Sequence, residues 1–194
     1  MRKAQIKRHT NETQVQLTLN IDGSGKTTIQ TGVAFFDHML NLMAVHGLFD
    51  LDIQAKGDLD VDFHHTVEDV GICLGQALRE ALGDARGIQR YASGLLPMDE
   101  SLCQMAIDIS NRPHLTFIAD FPKAKVGAFD VELAQEFFVA LVNNARITLH
   151  VNVLQGTNLH HMMEACFKAL GVYLSQALAV NPRKTGVPST KGVM

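Results

Sequence analysis

From Val15 to Ile21 the apolar residues Val15, Leu17, Leu19 and Ile21 fall on every second position, with polar side chains between them. A period of two predicts a strand with one buried face. Asp22-Gly23-Ser24-Gly25 breaks it with a turn, and Lys26 to Gln30 returns as a second strand. Phe36 to Val45 switches to helical spacing, and Leu51 to Ala55 reads as a strand. Lys56 to Phe63 then connects to a helix over His64–Leu82, closed by Gly83. The same order recurs further along the chain. Cys103, Met105, Ile107 and Ile109 alternate, Asn111-Arg112-Pro113 turns the chain, and Leu115, Phe117, Ala119 and Phe121 alternate back. Val131 to Asn143 is helical and Ile147 to Val153 is a strand. Gly156-Thr157-Asn158 precedes a helix from His160 that fades near Asn181-Pro182. Both halves read β-β-α-β-α. Local returns with helices set to one side predict an α+β fold, internally duplicated. The expected organisation is one domain over 1–194, made of two similar halves of about 1–95 and 96–194.

With 46% hydrophobic residues in 194, the chain can bury a sizeable core. A net charge of −3 offers no general attraction to nucleic acid or to an anionic membrane. No apolar run approaches the roughly 20 residues of a membrane span. Met1 to Thr10 holds no apolar signal core, so a cytoplasmic location is expected. Cys73, Cys103 and Cys166 are odd in number, lack Cys-x-x-Cys spacing and sit in apolar segments. Buried thiols are expected rather than a disulfide frame. The tail from Lys184 to Met194 is rich in Gly, Pro, Ser and Thr.

One phrase occurs twice, as His64-His65-Thr66-Val67-Glu68 and His160-His161-Met162-Met163-Glu164. On a helix the first His and the Glu share a face, and the second His lies about 100° further round. One helix start can therefore give two ligands to one metal and a third to another. The duplication adds a pair of positions. His38, near the start of the earlier helix in half one, corresponds to Glu136 in half two. Exchanging the second histidines gives one set of His64, Glu68, His161 and Glu136, and another of His160, Glu164, His65 and His38. Four protein ligands leave open positions on an octahedral ion, which suits catalysis. Imidazole with carboxylate fits Zn, Mn or Fe alike. On spacing alone His38 suits a partly buried histidine equally well, and Glu136 an exposed helix carboxylate.

These segments resemble the imidazoleglycerol-phosphate dehydratase family. The likeness runs nearly end to end. It is carried by Asn11-Glu12-Thr13, by Gly32-Val33-Ala34-Phe35-Phe36-Asp37-His38-Met39-Leu40 and by His64-His65-Thr66-Val67-Glu68-Asp69. It continues in Pro97-Met98-Asp99-Glu100, Asp108-Ile109-Ser110-Asn111-Arg112-Pro113, His160-His161-Met162-Met163-Glu164 and Pro188-Ser189-Thr190-Lys191-Gly192-Val193. The resemblance implies the monofunctional form, a ribosomal protein S5 domain 2-like fold and two Mn²⁺ per active site. It implies dehydration of imidazole glycerol phosphate to imidazole acetol phosphate, in histidine biosynthesis, with the substrate held as imidazolate between two metals. It also implies a homo-oligomer of 24 subunits with active sites between them.

The resemblance assigns roles as well. Glu12 becomes the acid/base residue, although on its own it reads as a solvated strand-edge carboxylate. The substrate phosphate falls to Arg90, Arg112, Lys168, Ser189, Thr190 and Lys191, with the tail as a strap closing over it. From residues alone Arg90 and Arg112 are solvated loop charges, and Lys168 pairs with Glu164 one helical turn away. His46, eight positions after His38, falls on nearly the same helix face and lines the substrate pocket as a second catalytic candidate; packing against Phe49 is its other reading. His38 counts as a substrate contact too. Three positions depart from the family pattern. Phe63 replaces an acidic residue that would orient His64 or His65, Glu136 stands where some members have His, and Asn111 replaces a common Gly. The rival readings are a two-metal phosphate-ester hydrolase and a metal-assembled shell protein without catalysis.

Overall fold

A computed structural model describes residues 2–192. Half one contains β1 (Lys3–His9), β2 (Thr13–Asn20), β3 (Thr27–Gln30), α1 (Ala34–Gly47), β4 (Asp50–Gly57) and α2 (His64–Leu82). Half two contains β5 (Tyr91–Met98), β6 (Ser101–Asp108), β7 (His114–Ile118) and the short pair β8 (Lys125–Val126) and β9 (Phe129–Asp130). It ends in α3 (Leu133–Ala145), β10 (Thr148–Gln155) and α4 (Leu159–Leu178). The expected β-β-α-β-α order is present twice. Each copy gains a leading strand, β1 or β5, and half two gains the β8–β9 hairpin.

The sheets run β1-β2-β4-β3 and β5-β6-β10-β7. The expected local return after β2 is not a hairpin. β3 pairs parallel with β4, which in turn pairs antiparallel with β2. Half two repeats this, with β10 between β6 and β7. Parallel neighbours need a crossover connection, and α1 and α3 provide it. In β2 the side chains of Val15, Leu17 and Leu19 are buried, whereas Gln14 and Gln16 are exposed. Each sheet thus covers one face with helices: α2 lies on β1 and β2, and α4 lies on β5 and β6.

The helices pair between halves, α2 with α3 and α1 with α4. Phe36 of α1, Phe137 of α3 and Phe167 of α4 meet at the centre, with ring centroids 5.4 Å (Phe36–Phe137) and 5.2 Å (Phe137–Phe167) apart. Two glycines allow the close crossings. Gly75 faces the Leu141 carbonyl and Gly171 faces the Met43 carbonyl, each where a β-carbon would collide with backbone. They stand at the same offset, eleven positions after His64 and His160. Asp69 is buried but satisfied: Arg8 Nε donates to it at 2.9 Å and the Thr13 hydroxyl also donates. This ties the start of α2 to its sheet. Asn111 takes a left-handed φ of 55°, which Asn tolerates better than most side chains, and its side-chain oxygen accepts from Arg146 Nε at 2.7 Å. Cys73, Cys103 and Cys166 are buried free thiols. No described helix is long and apolar enough to cross a membrane.

Candidate metal centre

Asn158 caps α4, its side-chain oxygen accepting from the His160 backbone N–H at 3.0 Å. With the helix started there, His160 and Glu164 fall one turn apart, and His160 Nε2 lies 3.0 Å from Glu164 Oε1. Packing of α1 on α4 brings in His38, whose Nε2 lies 3.0 Å from the same oxygen. The ligand atoms of these three residues all lie within 4.8 Å of one another. Two imidazole nitrogens directed at one carboxylate oxygen form a donor set that fits a divalent first-row cation. Phe35 meets His160 edge-on at 5.1 Å and walls one side.

Lys168 donates to the other Glu164 oxygen at 2.6 Å. Burial raises the Glu164 carboxyl, but Lys168, His38 and His160 outweigh it and hold it down at about 2. Glu164 is therefore a carboxylate, ready as a ligand, at any physiological pH.

His65 and His161 point elsewhere. Asp58 accepts from His65 Nδ1 at 2.9 Å, and Glu100 accepts from His161 Nδ1 at 2.7 Å. Each imidazole is raised above its ordinary value, chiefly by that hydrogen bond. Each Nε2 faces a second, more distant acid: Glu12 is 3.8 Å from His65 and Asp99 is 3.9 Å from His161. The structure thus gathers three of the four residues in one expected ligand set, His38, His160 and Glu164, and leaves His65 outside. Of the other set, His64 and Glu68 stand on α2 and Glu136 on the adjacent α3. Among the described residues they do not form a second convergent group.

The expected phosphate residues divide into two groups. Arg90 is mostly buried rather than a solvated loop charge, at 12% side-chain exposure. Its guanidinium grips Asp108 through Nε at 2.6 Å and Nη2 at 3.1 Å, and Nη1 donates to the Pro188 carbonyl at 2.7 Å. The exposed Arg112 approaches the same carboxylate at 3.8 Å. Arg90, Ser189 and Thr190 line one cavity of about 550 Å³. Lys191 follows in the exposed turn, its N–H donating to Ser189 Oγ. The tail therefore rests on Arg90 at Pro188; Val193 and Met194 lie outside the described residues. Lys168 is in the other group, beside Glu164 and Met98. The Arg90 N–H donates to the Ala177 carbonyl, near the far end of α4. Thirteen helical residues separate Ala177 from Glu164, about 20 Å at 1.5 Å per residue. Within one chain the cluster of His38, His160 and Glu164 and the cluster around Arg90 sit by opposite ends of α4. His46 is exposed in the last turn of α1, about 12 Å along the helix from His38 by the same rise, and does not join the cluster.

The family model for imidazoleglycerol-phosphate dehydratase matches residues 31–174. The chain belongs to the imidazoleglycerol-phosphate dehydratase family. It is 59% identical over 194 residues to the imidazoleglycerol-phosphate dehydratase of Bacillus licheniformis, with both chains fully covered. The Bacillus subtilis dehydratase is also 59% identical over its full length. Crystal structures of dehydratases share the fold. That from Staphylococcus aureus has a TM-score of 0.84 at 42% identity, covering 92% of this chain and 99% of its own. That from Pyrococcus furiosus, in complex with (S)-C348, has a TM-score of 0.84 at 36% identity, covering 97% and 100%.

Although Phe63 departs from the dehydratase pattern, His65 keeps a carboxylate partner, because Asp58 supplies it from just after β4. Asp62 accepts from the His64 backbone N–H at 2.8 Å. Sequence reasoning missed Asp58, Glu100 and Asp108. Asp58 lay in a stretch read only as a connection. Glu100 and Asp108 stood inside family segments but carried no assigned role.

Proposed function

We propose that this chain dehydrates imidazole glycerol phosphate to imidazole acetol phosphate, as a cytoplasmic hydro-lyase of histidine biosynthesis. The observation that carries the reading is the convergence of His38, His160 and Glu164 at 3.0 Å contacts, in a chain matched along its full length by named dehydratases.

The metal would be held by His38, His160 and Glu164 with His65 of another copy, and a second by His64, Glu68 and Glu136 with His161. A pair of divalent cations, Mn²⁺ in this proposal, would supply Lewis acidity toward the imidazole nitrogens of the substrate. Glu164 stays anionic because Lys168 and two imidazoles surround it. Glu12 is exposed and engages His65 only at 3.8 Å, so its carboxylate is free to take the carbon-bound proton and return it. Arg90 has three of its N–H donors fixed on Asp108 and Pro188. The other two, with Arg112, Ser189, Thr190 and Lys191, would clamp the phosphate. Lys168 and His46 complete the proposed contacts.

The fourth ligand missing from the cluster, and the length of α4 between it and Arg90, support an active site built from several copies. A 24-subunit homo-oligomer accommodates such sites. Incubation of Mn-loaded protein with imidazole glycerol phosphate should yield the keto phosphate. Release of free phosphate would instead indicate a hydrolase, and no turnover would indicate a metal-assembled shell. Chelation should dissociate the assembly, measured by size in solution.

A further inference from the structure

Glu12 and Glu100 hold the same place in the two repeats. Glu12 ends the turn between β1 and β2, directly before Thr13, and Glu100 ends the turn between β5 and β6, directly before Ser101. Thr13 and Ser101 are both buried polar residues. The surroundings of the two glutamates nevertheless differ. Glu12 is exposed, and the Nδ1 of the nearby His65 already belongs to Asp58. Glu100 is engaged through both oxygens. Its Oε2 accepts from His161 Nδ1 at 2.7 Å. Its Oε1 accepts from the backbone N–H groups of Asn158 at 2.8 Å and Thr157 at 3.2 Å, and from the Ser101 hydroxyl at 3.2 Å. Half two has no acid at the place of Asp58. Gly156 corresponds to Gly57, since a β-carbon on Gly57 would strike Thr66 and one on Gly156 would strike the matching Met162 and Ser101, and the residue that follows is Thr157, which has no carboxylate to offer His161.

We propose that Glu100 is a positioning residue for His161. It fixes the tautomer with the proton on Nδ1, orients the ring and ties it to the turn that starts α4, so that Nε2 is the nitrogen offered to a metal. Asp58 performs the same task for His65, which leaves Glu12, alone of the duplicated pair, free for proton transfer. The two repeats thus keep similar histidine ligands while only one hairpin presents an unengaged glutamate. This inference rests on the reading of His161 as a metal ligand, and that reading can be tested on its own.

The experiment is a calorimetric titration of the metal-free protein with Mn²⁺, with circular dichroism to check folding. His161→Ala should remove or weaken part of the wild-type binding; unchanged stoichiometry and affinity would end the ligand reading itself. Once that loss is seen, Glu100→Ala should weaken the same fraction of sites by about 10–100-fold and leave the rest as in wild type. Glu100→Gln should recover most of that loss, because its amide oxygen accepts the same hydrogen bond. Glu12→Gln should bind Mn²⁺ as wild type does. Wild-type binding by Glu100→Ala, or no recovery in Glu100→Gln, overturns the positioning role. If Glu100→Ala does not fold, Glu100→Asp carries the test: it keeps the charge but withdraws the carboxylate from Nδ1, and wild-type binding there overturns the proposal equally.

Discussion

Gly171 lies so close to Met43 that a β-carbon on it would land on the Met43 carbonyl oxygen, and 3.0 Å from the Gly47 nitrogen. This contact sets the spacing of α1 and α4, and so the distance between His38 on one helix and His160 with Glu164 on the other. Gly171→Ala gains about 1 kcal/mol of helix propensity. Overpacking against backbone costs about 1–3 kcal/mol and displaces α1. The variant should lose thermal stability and bind Mn²⁺ more weakly than wild type. Calorimetry of the melt and a metal titration check both; a variant more stable than wild type with unchanged metal affinity would refute the link.

Lys168→Met tests the charge balance at Glu164. The carboxyl is held at about 2 in the fold, below the ordinary 4.5 of an unfolded Glu. A depressed carboxyl contributes stability above its unfolded value and loses it as pH falls through the folded one. Removing Lys168 leaves a mostly buried carboxylate short of a partner, at a cost of about 1–3 kcal/mol at neutral pH. Urea unfolding in chelator should show that deficit at pH 7, and the deficit should shrink as pH drops from about 5 toward 2.

Loss of residues 188–194 should raise KM strongly with Mn²⁺ still bound. The reason is spatial: Arg90, Ser189 and Thr190 share a cavity at one end of α4, whereas His38, His160 and Glu164 sit at the other. Arg90→Lys should raise KM by at least about tenfold too, because an ammonium cannot hold Asp108 in two places while reaching Pro188. Steady-state kinetics alongside metal analysis separates the two ends; unchanged KM in both variants would remove the phosphate role.

The duplication was legible because period-two and helical spacings recur in order, and because His-His-x-x-Glu starts both α2 and α4. The leading strands were not. β1 buries Ala4 but Ile6 only in part, and in β5 the exposed Tyr91 and Leu95 interrupt the half-buried Ala92, Leu96 and Met98, so neither carries a clean apolar period. Parallel pairing of β3 with β4 leaves no trace in a single strand's pattern. Helix geometry placed His160 and Glu164 together, and the duplication added His38. Asp58 and Glu100 reach their histidines from loops, where no periodicity exists to reveal them.

Burial predicts unreactive thiols. Cys73 is pushed up to about 11 by burial, and a hydrogen bond with the neighbouring Cys103, followed by burial, raises Cys166. A thiol-disulfide reagent at pH 8 should find no fast-reacting cysteine in the native protein and all three after denaturation. Rapid labelling of native Cys103 or Cys166 would contradict the packing of β6 on α4, and rapid labelling of Cys73 the packing of α2.

Asp50 organises the turn that follows β2. Its carboxylate accepts from the Ser24 backbone N–H at 2.8 Å, the Lys26 backbone N–H at 3.1 Å and Asn20 Nδ2 at 3.2 Å. These bonds, Ser24 first, lower its carboxyl from the ordinary 3.8 to about 2. Because the folded value is the lower one, the stabilisation is complete above about pH 4 and disappears as pH falls through 2. Asp50→Ala should therefore melt below wild type at pH 7, with the gap closing between pH 4 and 2 as wild type loses the same bonds. Thermal melts across that range decide the matter, and a gap that stays constant down to pH 2 would assign the loss to packing instead of charge.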